Sequence, residues 1–220
     1  MKACESRHRI ATWRLLVAAL LLAAGGCTRV VLVTPAPPAP PAQRIPLDVG
    51  LYLTREFKAY AAEIRDADPW ISLDLWRYAN LGAASAQQFE RELAGTFRSV
   101  QILAEAPSAA RPASPGLAVV VEPAIEHFDV ILRNMFRPLS ASVRYRIKLY
   151  GPDGQLWMNS SVEGSATALT GPPGITGMAV ENAVANAVQR IIESDGMRAL
   201  LKGSAFAPQR LKSRRVFSSS

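Results

Sequence analysis

Residues 142–162 read SVRYRIKLYGPDGQLWMNSSV, and this stretch decides the fold class. Val143, Tyr145, Ile147 and Leu149 alternate with Ser142, Arg144, Arg146 and Lys148, which predicts a strand with one buried face and one wet, basic face. Gly151-Pro152-Asp153-Gly154 then turns the chain, and Leu156, Met158, Ser160 and Val162 return along an antiparallel partner. Such a hairpin needs an apolar layer over its inner face.

Two amphipathic stretches supply that layer. Towards the C-terminus, a Gly-Pro loop at 171–177 precedes a helical face of Val180, Val184, Val188 and Ile191, flanked by Ala183 and Ala187. Asp195-Gly196 reads as its stop. Towards the N-terminus, Phe89, Leu93 and Phe97 form a stripe at four-residue spacing with Glu90, Arg91 and Glu92 turned to water. Ser85 with Gln88 reads as a capping-box start. Further strands are predicted at 48–53, where Val49, Leu51 and Leu53 share a face, at 100–103, and at 117–121. Extended chain resumes at 125–132 after Pro123, which implies an edge or a bulge there. Residues 106–116 carry three prolines and read as a surface loop. Residues 54–84 hold Tyr60, Trp70, Trp76 and Tyr78, which the periodicity assigns neither to core nor to surface. The expectation is an α+β domain over 47–202, an antiparallel sheet of about four strands with two helices packed on one face, followed by a flexible basic tail at 203–220.

The first 46 residues are of another kind. A basic start at 1–14 leads into ten apolar residues, Leu15 to Ala24, which span about 15 Å as a helix and suit the apolar core of a signal peptide better than a membrane span. Ala24-Gly25-Gly26-Cys27 resembles the lipobox of bacterial lipoproteins, with Ala24 where leucine is usual. The resemblance implies removal of residues 1–26 and lipid, palmitate included, on Cys27. The competing reading is ordinary secretory cleavage that leaves a stray thiol. More than one acyl chain gives stable anchoring without further membrane contact. By the sorting rule of enteric lipoproteins, Thr28 after the cysteine implies the periplasmic face of the outer membrane. Residues 34–46, TPAPPAPPAQRIP, hold six prolines in thirteen positions. Extended polyproline geometry at about 3.1 Å per residue makes 27–46 read as a lipidated cysteine with a semi-rigid tether that lifts the domain off the membrane.

Charge and residue inventory exclude several functions. Residues 1–26 carry four basic residues and one acid, so their removal lowers the net charge from +7 to +4. No basic stripe with interleaved aromatics remains to follow a nucleic-acid backbone. Cys4 and Cys27 are the only cysteines, so no disulfide staples the domain. Of the two histidines, His8 would leave with residues 1–26, so His127 has no second histidine or cysteine to complete a metal site and reads as a surface or strand-edge residue. Asp66, Asp68 and Asp74 lack calcium-loop spacing, and no nucleophile elbow or phosphate-binding glycine pattern occurs. The expectation is therefore no enzyme, no metal and no cofactor. What remains is a binding surface: Arg144, Arg146 and Lys148 on one sheet face, with Trp70 and Trp76 as aromatic contacts. Plain solvation of an exposed strand, the normal antiparallel pattern, is the simpler reading of the basic stripe.

The lipobox, the proline-rich segment and the helix-sheet-helix order around VRYRIKLYGPDGQLW resemble the small α+β envelope lipoproteins. These include the lipopolysaccharide-assembly lipoprotein that plugs the outer-membrane translocon and the auxiliary lipoproteins of lipid ABC transporters. The likeness covers residues 27 to about 200 in order of elements only, so no functional residue carries over. It implies a non-catalytic accessory or scaffold in an envelope transport or assembly complex. A stand-alone binder of a periplasmic ligand or peptidoglycan is the alternative, and a hydrolase is a weaker third.

Overall fold

A computed structural model describes residues 28–36, 44–65, 75–108, 115–131, 139–168 and 172–203. In chain order the elements are β1 (Thr28–Val31), β2 (Ile45–Tyr52), α1 (Arg55–Lys58), β3 (Ala62–Arg65), β4 (Leu75–Tyr78), α2 (Leu81–Thr96), β5 (Phe97–Leu103), β6 (Val119–Ile131), β7 (Leu139–Tyr150), β8 (Leu156–Ala168), α3 (Pro172–Ile192) and α4 (Asp195–Gly203).

The hairpin β7–β8 is the spine. Val143, Tyr145, Ile147 and Leu149 are fully buried, and the register sets Val143 opposite Gly164 and Leu149 opposite Met158. Gly154 has φ 75°, a left-handed conformation that glycine adopts without penalty, and the Gly154 N–H donates to the Gly151 carbonyl to close the turn. The long strand β6 pairs antiparallel with the other edge of β7. Its Pro123 is tolerated because β2 pairs with β6 only over Val119–Val121, so past that point β6 has no ladder partner on the β2 side. A register shift between Ile125 and His127 follows, as the proline implied.

The sheet itself is mixed rather than four antiparallel strands. Its order is β5-β2-β6-β7-β8, with β2 parallel to both β5 and β6. The reason is the connection: α2 lies between β2 and β5 and carries the chain back, and a strand-helix-strand passage leaves its strands parallel. A second sheet of order β1-β4-β3 comes from residues whose periodicity was silent.

Both long helices cover the same face of the large sheet, as expected. Ser85 Oγ of α2 lies 2.7 Å from Tyr145 Oη on β7, and α3 packs its alanines on Gly164 of β8. Phe57, Phe89 and Tyr145 stack edge-on between the layers, with ring centroids 5.1 to 6.3 Å apart. Two helix boundaries depart from the sequence reading. α2 begins at Leu81, so Ser85 is a buried core hydroxyl instead of a cap; the residue at the cap position, Asn80, spends its side chain on Val33. Asp195-Gly196 does not end the structure but opens α4, whose Met197 and Leu201 are buried. Ser194 makes the junction, donating to the Ile191 carbonyl and accepting from the Met197 N–H. Trp157 seals this end, its ring packed so closely over Gly151 and Gly196 that a Cβ on either would lie 2.3 Å from it.

Candidate functional site

Two surfaces carry the residues singled out by the sequence. The first is the outer face of the large sheet, opposite the helices. Alternation along β7 turns Arg144, Arg146 and Lys148 outward, as the sequence predicts. Neighbouring strands then bring a carboxylate to each. Arg144 donates to Glu163 of β8 through Nε and Nη2, at 3.1 and 2.7 Å. Arg146 Nε donates to Glu126 of β6 at 2.6 Å, and Ser161 Oγ of β8 donates to the other oxygen of that carboxylate. Lys148 Nζ and Tyr150 Oη both donate to Glu122, at 2.8 and 2.7 Å.

These contacts shift the protonation of the groups in consistent directions. The Ser161 hydroxyl, with Arg146 behind it, holds Glu126 below the ordinary carboxylate range, and the Glu163 carboxylate raises Arg144. Burial, reinforced by the Glu122 carboxylate, raises Tyr150. The basic stripe is thus a cross-strand ladder of compensated charges: the Arg144 and Arg146 pairs lie exposed and add little to stability, whereas Lys148 meets a buried Glu122. The acids sit on β6 and β8, between 19 and 26 residues away in sequence from their basic partners, so only the register reveals them.

The second surface is the N-terminal end. Residues 28–36 are not the start of a free tether. β1 pairs parallel with β4, setting Arg29 beside Trp76 and Val31 beside Tyr78. Val31 and Val33 are buried in the same core as the helices, and Pro35 is buried after them. Asn80 clamps the segment twice, its Oδ1 accepting from the Val33 N–H at 2.8 Å and its Nδ2 donating to the Val33 carbonyl at 3.0 Å. The Ala36 N–H donates to Glu181 of α3. The proline-rich stretch therefore joins β1 to β2 instead of preceding the domain.

Trp76 is half-buried, and the Arg29 guanidinium lies over its ring, 5.2 Å from the centroid. Tyr78 is core, stacked edge-on against Phe128 at 4.9 Å, and burial pushes its hydroxyl up to about 12. That hydroxyl and Thr176 Oγ1 are buried beside each other, and among the described residues neither has another hydrogen-bond partner. Cys27, Trp70 and the acids at 66, 68 and 74 lie outside the described residues. His127 is exposed on β6. Among the described residues no group of three His, Cys, Asp or Glu is placed to hold a metal, and no helix is long and apolar enough to cross a membrane. An open depression of about 590 Å³ runs beside the docked segment, lined by Val33, Pro35, Lys58, Asn80 and Glu90 among others.

No family model matches the chain, and no curated protein matches it. Among solved structures it is similar to a protein of the DUF330 family from Xanthomonas campestris, XCC0632, with 12% identity and a TM-score of 0.42 over 81% of this chain and 98% of that one. It is also similar to a hypothetical protein from Chlamydia trachomatis, CT253, with 14% identity and a TM-score of 0.43 over 67% and 96%. A third is lipoprotein GNA1162 from Neisseria meningitidis, with 12% identity and a TM-score of 0.28 over 75% and 99%. At such scores the likeness carries no functional argument.

Proposed function

We propose that this chain is an envelope lipoprotein, anchored through lipid on Cys27 to the periplasmic face of the outer membrane, that acts by contact as a non-catalytic accessory or scaffold of an envelope complex. The observation that carries the reading is Ala24-Gly25-Gly26-Cys27 at the end of a ten-residue apolar run behind a basic start. The fold supports it in one respect: the residue after the cysteine, Thr28, already pairs with β4 and Val31 is buried, so an acyl group on Cys27 lies within four residues of the core. A body so fixed presents its surfaces in a constant orientation to neighbours in the same membrane.

The test is the chemistry of the mature terminus and what comes with it. Mass spectrometry should find a diacylglyceryl thioether on Cys27 as the first residue, and Cys27→Ala should leave an unprocessed precursor without label from radioactive palmitate. Gentle detergent extraction should copurify a membrane complex. A free thiol on a soluble periplasmic protein overturns the anchor. A fully acylated chain that always emerges alone overturns the scaffold and favours the binder of a soluble ligand or of peptidoglycan.

A further inference from the structure

We propose that the outer face of β1 is a bilayer-contact surface, with Val30 and Leu32 seated in the headgroup region of the membrane that holds Cys27. The inference rests on the lipid-anchored reading of that cysteine and adds how the domain sits.

The geometry is restrictive. Along extended chain at about 3.3 Å per residue, Val30 lies within about 10 Å of Cys27 and Leu32 within about 17 Å. Strand alternation buries Val31 and Val33 and so fixes Val30 and Leu32 outward, where they are 63% and 60% exposed. They are the two most exposed of the large aliphatic side chains among the described residues, and they stand next to each other on one face. The Asn80 clamp on Val33 and the Glu181 bond to Ala36 keep the strand from peeling away, so the patch cannot turn from the anchor.

The surroundings suit an interface between lipid and water. Arg77, the neighbour of Val30 on β4, is paired with Glu63 of β3 at 3.9 Å, which leaves no uncompensated charge from that pair beside the aliphatic side chains. Arg29 and Trp76 stack at the same end of the sheet, on the face opposite Val30 but at the edge nearest Cys27 in the chain. Tryptophan and arginine combine an apolar body with a polar head, the composition favoured at headgroup depth.

Cys4 and Cys27 are the only cysteines, so in the processed, acylated chain a Val30→Cys or Leu32→Cys substitution supplies the single free thiol. Each variant, and Leu156→Cys at a 50% exposed position on β8, is purified as the full lipoprotein. Each is labelled with a nitroxide and reconstituted into phosphatidylethanolamine–phosphatidylglycerol vesicles. Collisions with oxygen should rise, and those with a water-soluble nickel complex fall, several-fold at positions 30 and 32 relative to position 156. If acylation is confirmed by mass and both labels are as open to nickel as position 156, the domain stands off the bilayer; the inference then falls while the anchor stands. Labels shielded from oxygen and nickel alike would mean that protein covers the patch, which also overturns it. Absence of the acyl mass removes the anchored reading and the inference together.

Discussion

Replacing Gly164 with alanine sets two effects of opposite sign against each other. In a strand, glycine to alanine ordinarily stabilises by about 0.4–1 kcal/mol, because the unfolded chain has less freedom to lose. At Gly164 the added Cβ would lie 2.1 Å from Ala183 N, 2.5 Å from Ala183 Cα and 2.7 Å from Ala179 O. All three are backbone atoms of α3, so no side-chain rotation relieves the clash. Restoring ordinary contact requires the helix to retreat by about 1.3 Å, a gap at which its packed atoms lose at least half of their dispersion attraction. The same retreat stretches the bonds that flank Gly164, from Asn186 Nδ2 to the Glu163 carbonyl at 2.8 Å and from Asn182 Nδ2 to the Ser165 carbonyl at 2.9 Å. Overpacking at about 1–3 kcal/mol and two weakened bonds at about 0.5–1.5 kcal/mol each outweigh the entropic gain, for a net destabilisation of about 1–5 kcal/mol. Urea unfolding followed by circular dichroism measures it, with Ser165→Ala as a neighbour that faces solvent and keeps its carbonyl bond. A Gly164→Ala variant as stable as Ser165→Ala, or more stable than the natural chain, would refute the claim that α3 is held at the closest approach glycine permits.

Other outcomes follow from the same packing. Ser85→Ala leaves the buried Tyr145 hydroxyl without its partner and should cost about 1–3 kcal/mol, while Ser85→Ala with Tyr145→Phe should cost less than the sum of the two single changes, as a double-mutant cycle in urea would show. Arg98 and the Ser99 hydroxyl hold Asp48 down at about 2 from 3.8, so its folded-state pKa is depressed. Its stabilisation is fully present above pH 3.8 and disappears as pH falls towards 2; the stability gap between the natural chain and Asp48→Asn should therefore be constant from pH 7 to 5 and close on acidification. Asn80→Ala removes both bonds to Val33, so hydrogen exchange at the Val33 amide and proteolysis within 28–36 should accelerate before the rest of the domain opens. Arg144→Gln should leave the urea midpoint nearly that of the natural chain, since it breaks one exposed pair with Glu163.

What the sequence made legible was local. The alternation at 142–149, the Phe89 and Leu93 part of the helical stripe and the 180–191 helical face depend on one element meeting one apolar layer, and each is found on the face its period specified, whereas Phe97, read as the third residue of that stripe, is buried as the first residue of β5. Pro123 forecast the broken ladder for the same reason, because a missing N–H has consequences at its own position. The parallel pairing of β2 with β5 and β6 joins segments roughly fifty to seventy residues apart, which no period records. Ser85 with Gln88 matched a cap pattern, yet a serine on the buried side of a helix serves a tyrosine on another strand just as well. Glu122, Glu126 and Glu163 left no mark as partners of the basic stripe, since cross-strand neighbours are fixed by register alone. Residues 28–36, TRVVLVTPA, are apolar on both faces of the strand, so alternation was invisible and the prolines beyond dominated the reading.

That last miss changes the physical argument about the membrane. A proline-rich spacer sets the height of a domain only if nothing before it is attached to that domain. Here Val31 and Val33 are inserted in the common core and Val33 is bonded at both its backbone groups, so the chain is committed to the fold within a few residues of the cysteine. The prolines come after that commitment in the chain, between β1 of the small sheet and β2 of the large one, so they add nothing to the reach from lipid. A lipid on Cys27 would therefore hold the β1-β4-β3 sheet at the bilayer surface, and the ladder-bearing face and the helices would keep fixed angles to it. Contact with a partner in the same membrane is then a matter of rigid presentation, which spares the ordering entropy that a domain on a loose tether would lose on docking.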